Sequence, residues 1–188
     1  MNCNESKFEL KITIDKEISE HLGRKIVHAC IHVGNHVIGD IWQLALGEAF
    51  ESCVFHAIEM LEESIEIDFP AGTPVEVIFD CLYYAECGVS WGEKWVEDDA
   101  GWNKNAKKIF DLTGVQLSQE NVGNINLYAI PSGTEPFDGY SAYCVKISGE
   151  ENLIWRTYSS PDVYNIKITK KCIIDEYRRA LDAAHLTA

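Results

Sequence analysis

His28, Cys30 and His32 alternate along one stretch of the chain. On a strand the three would share a face, because successive side chains point to opposite sides. Neutral imidazole and thiolate are zinc ligands. Same-face neighbours lie about 6.5–7 Å apart at the strand rise, within reach of one ion for flexible side chains. His36 is a fourth candidate, across the turn that follows. The same alternation also describes a polar sheet face with one thiol packed beneath a helix. Closely spaced ligand pairs of the C-x-x-C kind do not occur, so neither a metal nor another cofactor is expected.

The other routes to chemistry are thinner. The chain has seven cysteines, at 3, 30, 53, 81, 87, 144 and 172, an odd number at irregular spacing. In a reducing compartment they read as buried free thiols. A Cys/His nucleophile pair stays open, but no local signature singles out one cysteine. There is no G-x-S-x-G elbow and no Gly-rich phosphate loop. The acidic pairs Glu62-Glu63, Asp98-Asp99 and Glu150-Glu151 are expected by chance in a chain with 30 acids and read as solvated surface. The expectation is a protein that is not an enzyme.

The stretch from Trp91 to Trp102 is different in kind. Trp91, Trp95 and Trp102 stand among Glu93, Glu97, Asp98 and Asp99, punctuated by glycines. Aromatic anchors ringed by charge are what protein interfaces use. Equally, the indoles could cap the core while the acids face water. With Glu86 just before it, this stretch is the first candidate partner-binding surface. Glu135, Asp138 and Tyr140, in a Gly- and Pro-rich loop, form the second.

Whole-chain charge bears on what the partner can be. Thirty acids against 16 Lys and Arg give a formal net charge of −14. Affinity for phosphate comes from Lys and Arg, so a free nucleic-acid binder is excluded, as is an anionic membrane surface. A basic protein partner fits. No segment reaches the ~18 apolar residues of a membrane span, and residues 1–7 lack the pattern of a secretory signal. The expectation is one cytoplasmic domain over 1–188, with 1–7 as a flexible tail; its oligomeric state is not legible.

The elements that must position these residues follow from periodicity. Phe8–Ile14 alternates with a period of two and predicts a half-buried strand. Lys25–Val33, rich in β-branched residues, predicts another. Gly34-Asn35 predicts a tight turn, with His36–Ile38 as the returning strand. Ile41, Leu44, Leu46, Phe50, Val54, Ile58 and Leu61 recur at helical spacing and predict a helix over 43–63. Pro70–Pro74 predicts a loop, and the dense apolar run Val75–Tyr84 a buried central strand. Asn103–Asp111 predicts a short helix and Asn124–Ile130 a strand. Ser141–Ile147 and Leu153–Tyr158 predict a hairpin joined by Ser148–Asn152. Val163–Ile168 predicts a last strand and Cys172–Ala184 a last helix, with Ile173, Ile174, Tyr177 and Leu181 on one stripe. Together they predict an α+β fold: a largely antiparallel sheet of six to seven strands with two main helices packed on it.

Cys30–Asp40, ending in Ile-Gly-Asp ahead of a helix, is the first of several phrases that carry a resemblance. The others are Pro136–Lys146, Glu151–Arg156 and Val163–Ile168 before the last helix. The pattern resembles the immunity proteins of bacterial polymorphic-toxin and contact-dependent growth-inhibition systems, most nearly the family numbered 42 among them. It spans most of 25–180, and the stretch 85–122 has no match in it. The resemblance implies a cytoplasmic protein that binds the C-terminal domain of one cognate toxin, often a basic nuclease, and covers its active or substrate-binding surface. It carries over no individual functional residues. Two alternatives stand beside it: a structural or adaptor module, and a small zinc- or thiol-dependent enzyme.

Overall fold

A computed structural model describes residues 8–87, 107–116 and 129–184, the side chains of 84–87 excepted. The fold is α+β, as expected, but the strands divide between two four-stranded sheets. In the first, β1 (Phe8–Ile14) pairs antiparallel along the whole of β2 (Ile26–Val33). The other edge of β2 is shared. β3 (His36–Ile38) pairs with its C-terminal end and β4 (Ala45–Leu46) with its N-terminal end. Residues 39–44 therefore leave the sheet and come back to the same edge.

The turn between β2 and β3 is the two-residue Gly34-Asn35, with Gly34 at φ 57°. Such tight hairpin turns need a residue that tolerates positive φ. Between β1 and β2 lies α1 (Lys16–Leu22), which periodicity does not predict. Its signals are local. The Asp15 carboxylate accepts from the Ile18 N–H, and Gly23 closes the helix at φ 63°, an N-cap and a left-handed C-cap.

The second sheet has the order β5-β6-β7-β8. β6 (Tyr140–Ile147) and β7 (Glu150–Thr157) are joined by only two residues, Ser148 and Gly149, at φ 55° and 79°. The strands thus run closer to the turn than the predicted five-residue connection allows. The short β5 (Asp68–Phe69) pairs parallel with β6, and its Asp68 carboxylate accepts from the Gly149 N–H. β8 (Val163–Lys167) completes the other edge.

The expectation of one sheet of six to seven strands with two main helices is corrected accordingly, to two sheets and five helices among the described residues. The largest single correction is Val75–Tyr84. It is not a central strand but the body of α3 (Val75–Cys87). Pro74 precedes the helix, where its missing N–H costs nothing. Ile78, Phe79, Cys81 and Leu82 are buried, and that i, i+1, i+3, i+4 set is a helical face. A continuous apolar run hides this period because the helix is apolar nearly all round.

The helix predicted over 43–63 is α2 (Gly47–Glu63). It starts later because Ala45 and Leu46 pair with β2 instead. A short helix, α4, covers 107–113. In the predicted strand Asn124–Ile130, Ala129 and Ile130 are not strand and the rest lies outside the described residues. The last helix, α5 (Lys170–Ala184), buries Ile173, Ile174, Tyr177 and Leu181 as predicted.

The sheets share one core. Leu10, Val27, Ala29, Ile31 and Val33 of the first sheet meet Ala142, Cys144, Leu153 and Trp155 of the second, with α2 and α5 packed in. The second sheet is buried on its other face too, where Tyr143, Val145 and Ile154 lie under α3 and Ile109 of α4. This double burial explains the unbroken apolar stretches Ala142–Val145 in β6 and Leu153–Trp155 in β7. β1 is gripped by α5, and the Leu10 N–H donates to Glu176 Oε1 at 3.1 Å. At the turn end of the first hairpin the His36 ring packs 4.8 Å from Tyr164 and 5.5 Å from Trp155.

Candidate partner-binding site

The loop 39–44 and the turn before β6 are brought together by close backbone approach. Gly39 sits at φ 104°. A methyl group there would stand 2.9 Å from Phe137 Cε1 and 3.3 Å from the Cys30 Cα. Only glycine fits, by conformation and by space. Next to it the Asp40 N–H donates to the Pro136 carbonyl at 2.7 Å. Pro136 and Phe137 are buried within the 3-10 turn Glu135–Phe137, and Phe137 stacks on Phe50 of α2 with centroids 6.3 Å apart. The core thus holds both loops in fixed relation.

Where they meet, the surface forms an open cleft of about 450 Å³ lined by Asp40, Gln43, Glu135, Pro136, Asp138–Tyr140 and Thr157–Ser159. Three of the predicted residues, Glu135, Asp138 and Tyr140, are here. Asp40, Gln43 and Tyr158 join them without having been predicted. Among the described residues three carboxylates line the cleft, and no lysine, arginine or histidine does. Asp40, Glu135 and Asp138 are exposed, whereas Tyr140 is half-buried. Burial pushes the Tyr140 phenol up; a backbone hydrogen bond with Gly39 opposes this and the Asp40 charge adds to it. At neutral pH the phenol is protonated, so it offers a donor among the acids.

The remaining predicted residues belong to the first candidate surface. Trp91, Glu93, Trp95, Glu97, Asp98, Asp99 and Trp102, and the side chain of Glu86, lie outside the described residues. Comparisons with protein-family models, with curated proteins and with solved structures give no match. What the site does is therefore argued from its own chemistry.

Two of the alternating trio, His28 and Cys30, and the fourth candidate His36 take separate local positions. His28 Nδ1 lies 2.7 Å from the Ile41 carbonyl and Nε2 lies 3.4 Å from Asp15 Oδ2. It fastens loop 39–44 to the start of α1. Cys30 is buried beneath that loop, and His36 lies against the second sheet. Among the described residues no group of three or more His, Cys, Asp or Glu is placed to hold a metal ion.

Burial pushes the thiols of Cys30, Cys53 and Cys81 up, and that of Cys144 up to about 12. A nucleophilic thiol needs the opposite shift. Cys30, Cys81 and Cys144, each at most 2% exposed, are expected to resist a disulfide reagent in the native protein and to react on unfolding. Mass mapping of the labelled cysteines checks this; fast native labelling of any of the three would contradict it.

Proposed function

We propose that this protein is an immunity-type inhibitor: it binds the C-terminal domain of a cognate toxin, probed first as a basic nuclease, and blocks its active or substrate-binding surface. The single observation that carries the reading is the acid-lined cleft, without basic side chains among the described residues and held in shape by buried turns on a chain of net charge −14. Fixed carboxylates can stand where a nuclease would hold phosphates. The long-range field of the chain speeds encounter with a cationic partner. The phrases at Cys30–Asp40 and Pro136–Lys146, which carry the family resemblance, are the two segments that meet at the cleft. The reading extends to a cytoplasmic site of action and to a protein without catalytic activity of its own.

The test is co-expression with the C-terminal domain encoded by the gene immediately upstream. The expected result is rescue of growth and a one-to-one complex whose association slows as salt is raised. Neither rescue nor complex would overturn the reading. Glu97→Lys, Asp98→Lys and Asp99→Lys combined, set against Asp40→Lys, Glu135→Lys and Asp138→Lys combined, divide the interface between the two acidic surfaces.

A further inference from the structure

The large hydrophobic side chains exposed to solvent are unevenly placed. Among the described residues they are Leu22, Val37, Ile41, Trp42, Leu44, Leu46, Phe55, Phe110 and Tyr158. Five of these nine fall between Val37 and Leu46, and a sixth, Tyr158, lines the cleft beside them. Trp42 is the extreme case, with 86% of its surface in water.

Its backbone is nevertheless fixed. The Trp42 N–H donates to Asp40 Oδ1 at 2.9 Å, the Gln43 N–H to the Asp40 carbonyl at 3.0 Å, and the Ile41 carbonyl meets His28. An indole carried on ordered backbone has already lost the backbone freedom that binding would otherwise cost, while its apolar surface remains to be buried. Asp40 and Gln43, which bracket Trp42, both line the cleft, and Glu135 and Asp138 line it too.

We propose that the apolar face centred on Trp42 and the adjoining cleft form one docking surface for an arginine presented by a basic protein partner. The carboxylates of Asp40, Glu135 and Asp138 take the guanidinium. The Trp42 ring covers its plane or its stem. Charge complementarity fixes the sign of the occupant, and the aromatic wall favours arginine over lysine. A planar fork pairs with carboxylates in a bidentate manner and stacks on an indole, whereas an ammonium is a compact, strongly hydrated charge. The proposal deepens the inhibitor reading, on which it rests for who supplies the arginine; the surface itself can be tested without any toxin.

The probe is a blocked hexapeptide of alternating arginine and glycine, with its lysine counterpart, titrated into 15N-labelled protein at low salt. The Trp42 indole N–H signal, assigned with Trp42→Phe, is expected to shift, and the lysine peptide to bind several-fold more weakly. Trp42→Ala is expected to weaken arginine-peptide binding about ten-fold, the equivalent of ~1.4 kcal/mol. Asp40→Asn with Glu135→Gln and Asp138→Asn should do at least as much.

The control is Glu59→Gln with Glu63→Gln and Asp182→Asn. It removes the same charge from exposed positions outside the cleft and should change binding less than two-fold. Equal weakening by both triples, or no effect of Trp42→Ala, would overturn the proposal in favour of diffuse charge attraction. A concentration-dependent dimer that Trp42→Ala disperses would overturn it in favour of a second copy of this chain. A toxin complex indifferent to Trp42→Ala and to the cleft triple would leave the inhibitor reading standing and remove this surface from it. Arginine-peptide binding as expected, with no toxin bound, would do the reverse.

Discussion

Replacing Gly39 with alanine is expected to destabilise the fold by about 3 kcal/mol. Two costs combine. The backbone at φ 104° lies outside the region that L side chains occupy readily. The new methyl also meets Phe137 Cε1 at 2.9 Å and the Cys30 Cα at 3.3 Å. Neither neighbour gives easily. Phe137 is 1% exposed and stacked on Phe50, and the Cys30 atom belongs to the backbone of β2. For a chain of this size the thermal midpoint should fall by roughly 6–12 °C.

The strain should appear at the candidate site as well, because Asp40 and Trp42 follow directly. A double-mutant cycle separates the two costs. Phe137→Leu thins the ring edge but leaves φ unchanged, so the double variant should be less destabilised than the sum of the singles by about 1 kcal/mol. Strict additivity would mean that the ring contact is not the source. An unchanged midpoint for Gly39→Ala would mean that the loop relaxes without cost.

The second large effect is expected at Asp80. Arg156 is 4% exposed, donates from Nη1 to Asp80 Oδ1 at 2.9 Å, and holds its guanidinium 4.7 Å from the Phe79 ring centroid. Phe79 and Asp80 are neighbours on α3, so this one side chain of β7 clasps the helix to the second sheet. Breaking a fully buried pair from one side costs ~3–5 kcal/mol. The Asp80 side chain is 53% exposed, and water shares in the pairing, so Asp80→Ala should cost about 2 kcal/mol. Arg156→Met removes the buried charge itself, leaves the half-exposed Asp80 carboxylate to water and fills much of the same volume, and should cost less. The order is the test, read by denaturant unfolding at neutral pH. If Arg156→Met proves the worse of the two, the stem and ring contacts of Arg156 outweigh its charge pairing.

How much of this was legible in the sequence depends on period and on turn chemistry. β1 and α5 were readable because polar residues on their wetter face mark the period, β2 from its β-branched residues and β3 from the Gly34-Asn35 turn ahead of it. α3 was not, because its run carries too few polar residues to show that the repeat is nearer four than two. α1 was missed for the opposite reason. It is short and none of its residues is buried, so only its caps, Asp15 and Gly23, announce it. Within the site, Glu135, Asp138 and Tyr140 were readable as a polar loop.

Asp40 and Trp42 were not, because Ile41, Leu44 and Leu46 happen to continue the apolar spacing of α2. Helical spacing cannot reveal that these three side chains are exposed. Gly39-Asp40 was the one available signal, a glycine followed by a side chain able to cap its own turn. The meeting of loop 39–44 with the turn at 135–137 is a tertiary fact. It follows from Phe137 packing under Gly39, and no local pattern spans those hundred residues.

The grip of α5 on β1 also sets a timetable. Leu10 and Glu176 are 166 residues apart, and at roughly 5–20 residues per second a ribosome needs on the order of ten seconds or more to cover that distance. For that interval the nascent first sheet carries Phe8, Leu10, Ile12 and Ile14 without the helix that covers them. The Trp42 loop hangs on that same sheet. Its contacts with Pro136 and Phe137 likewise wait for residues synthesised long after it.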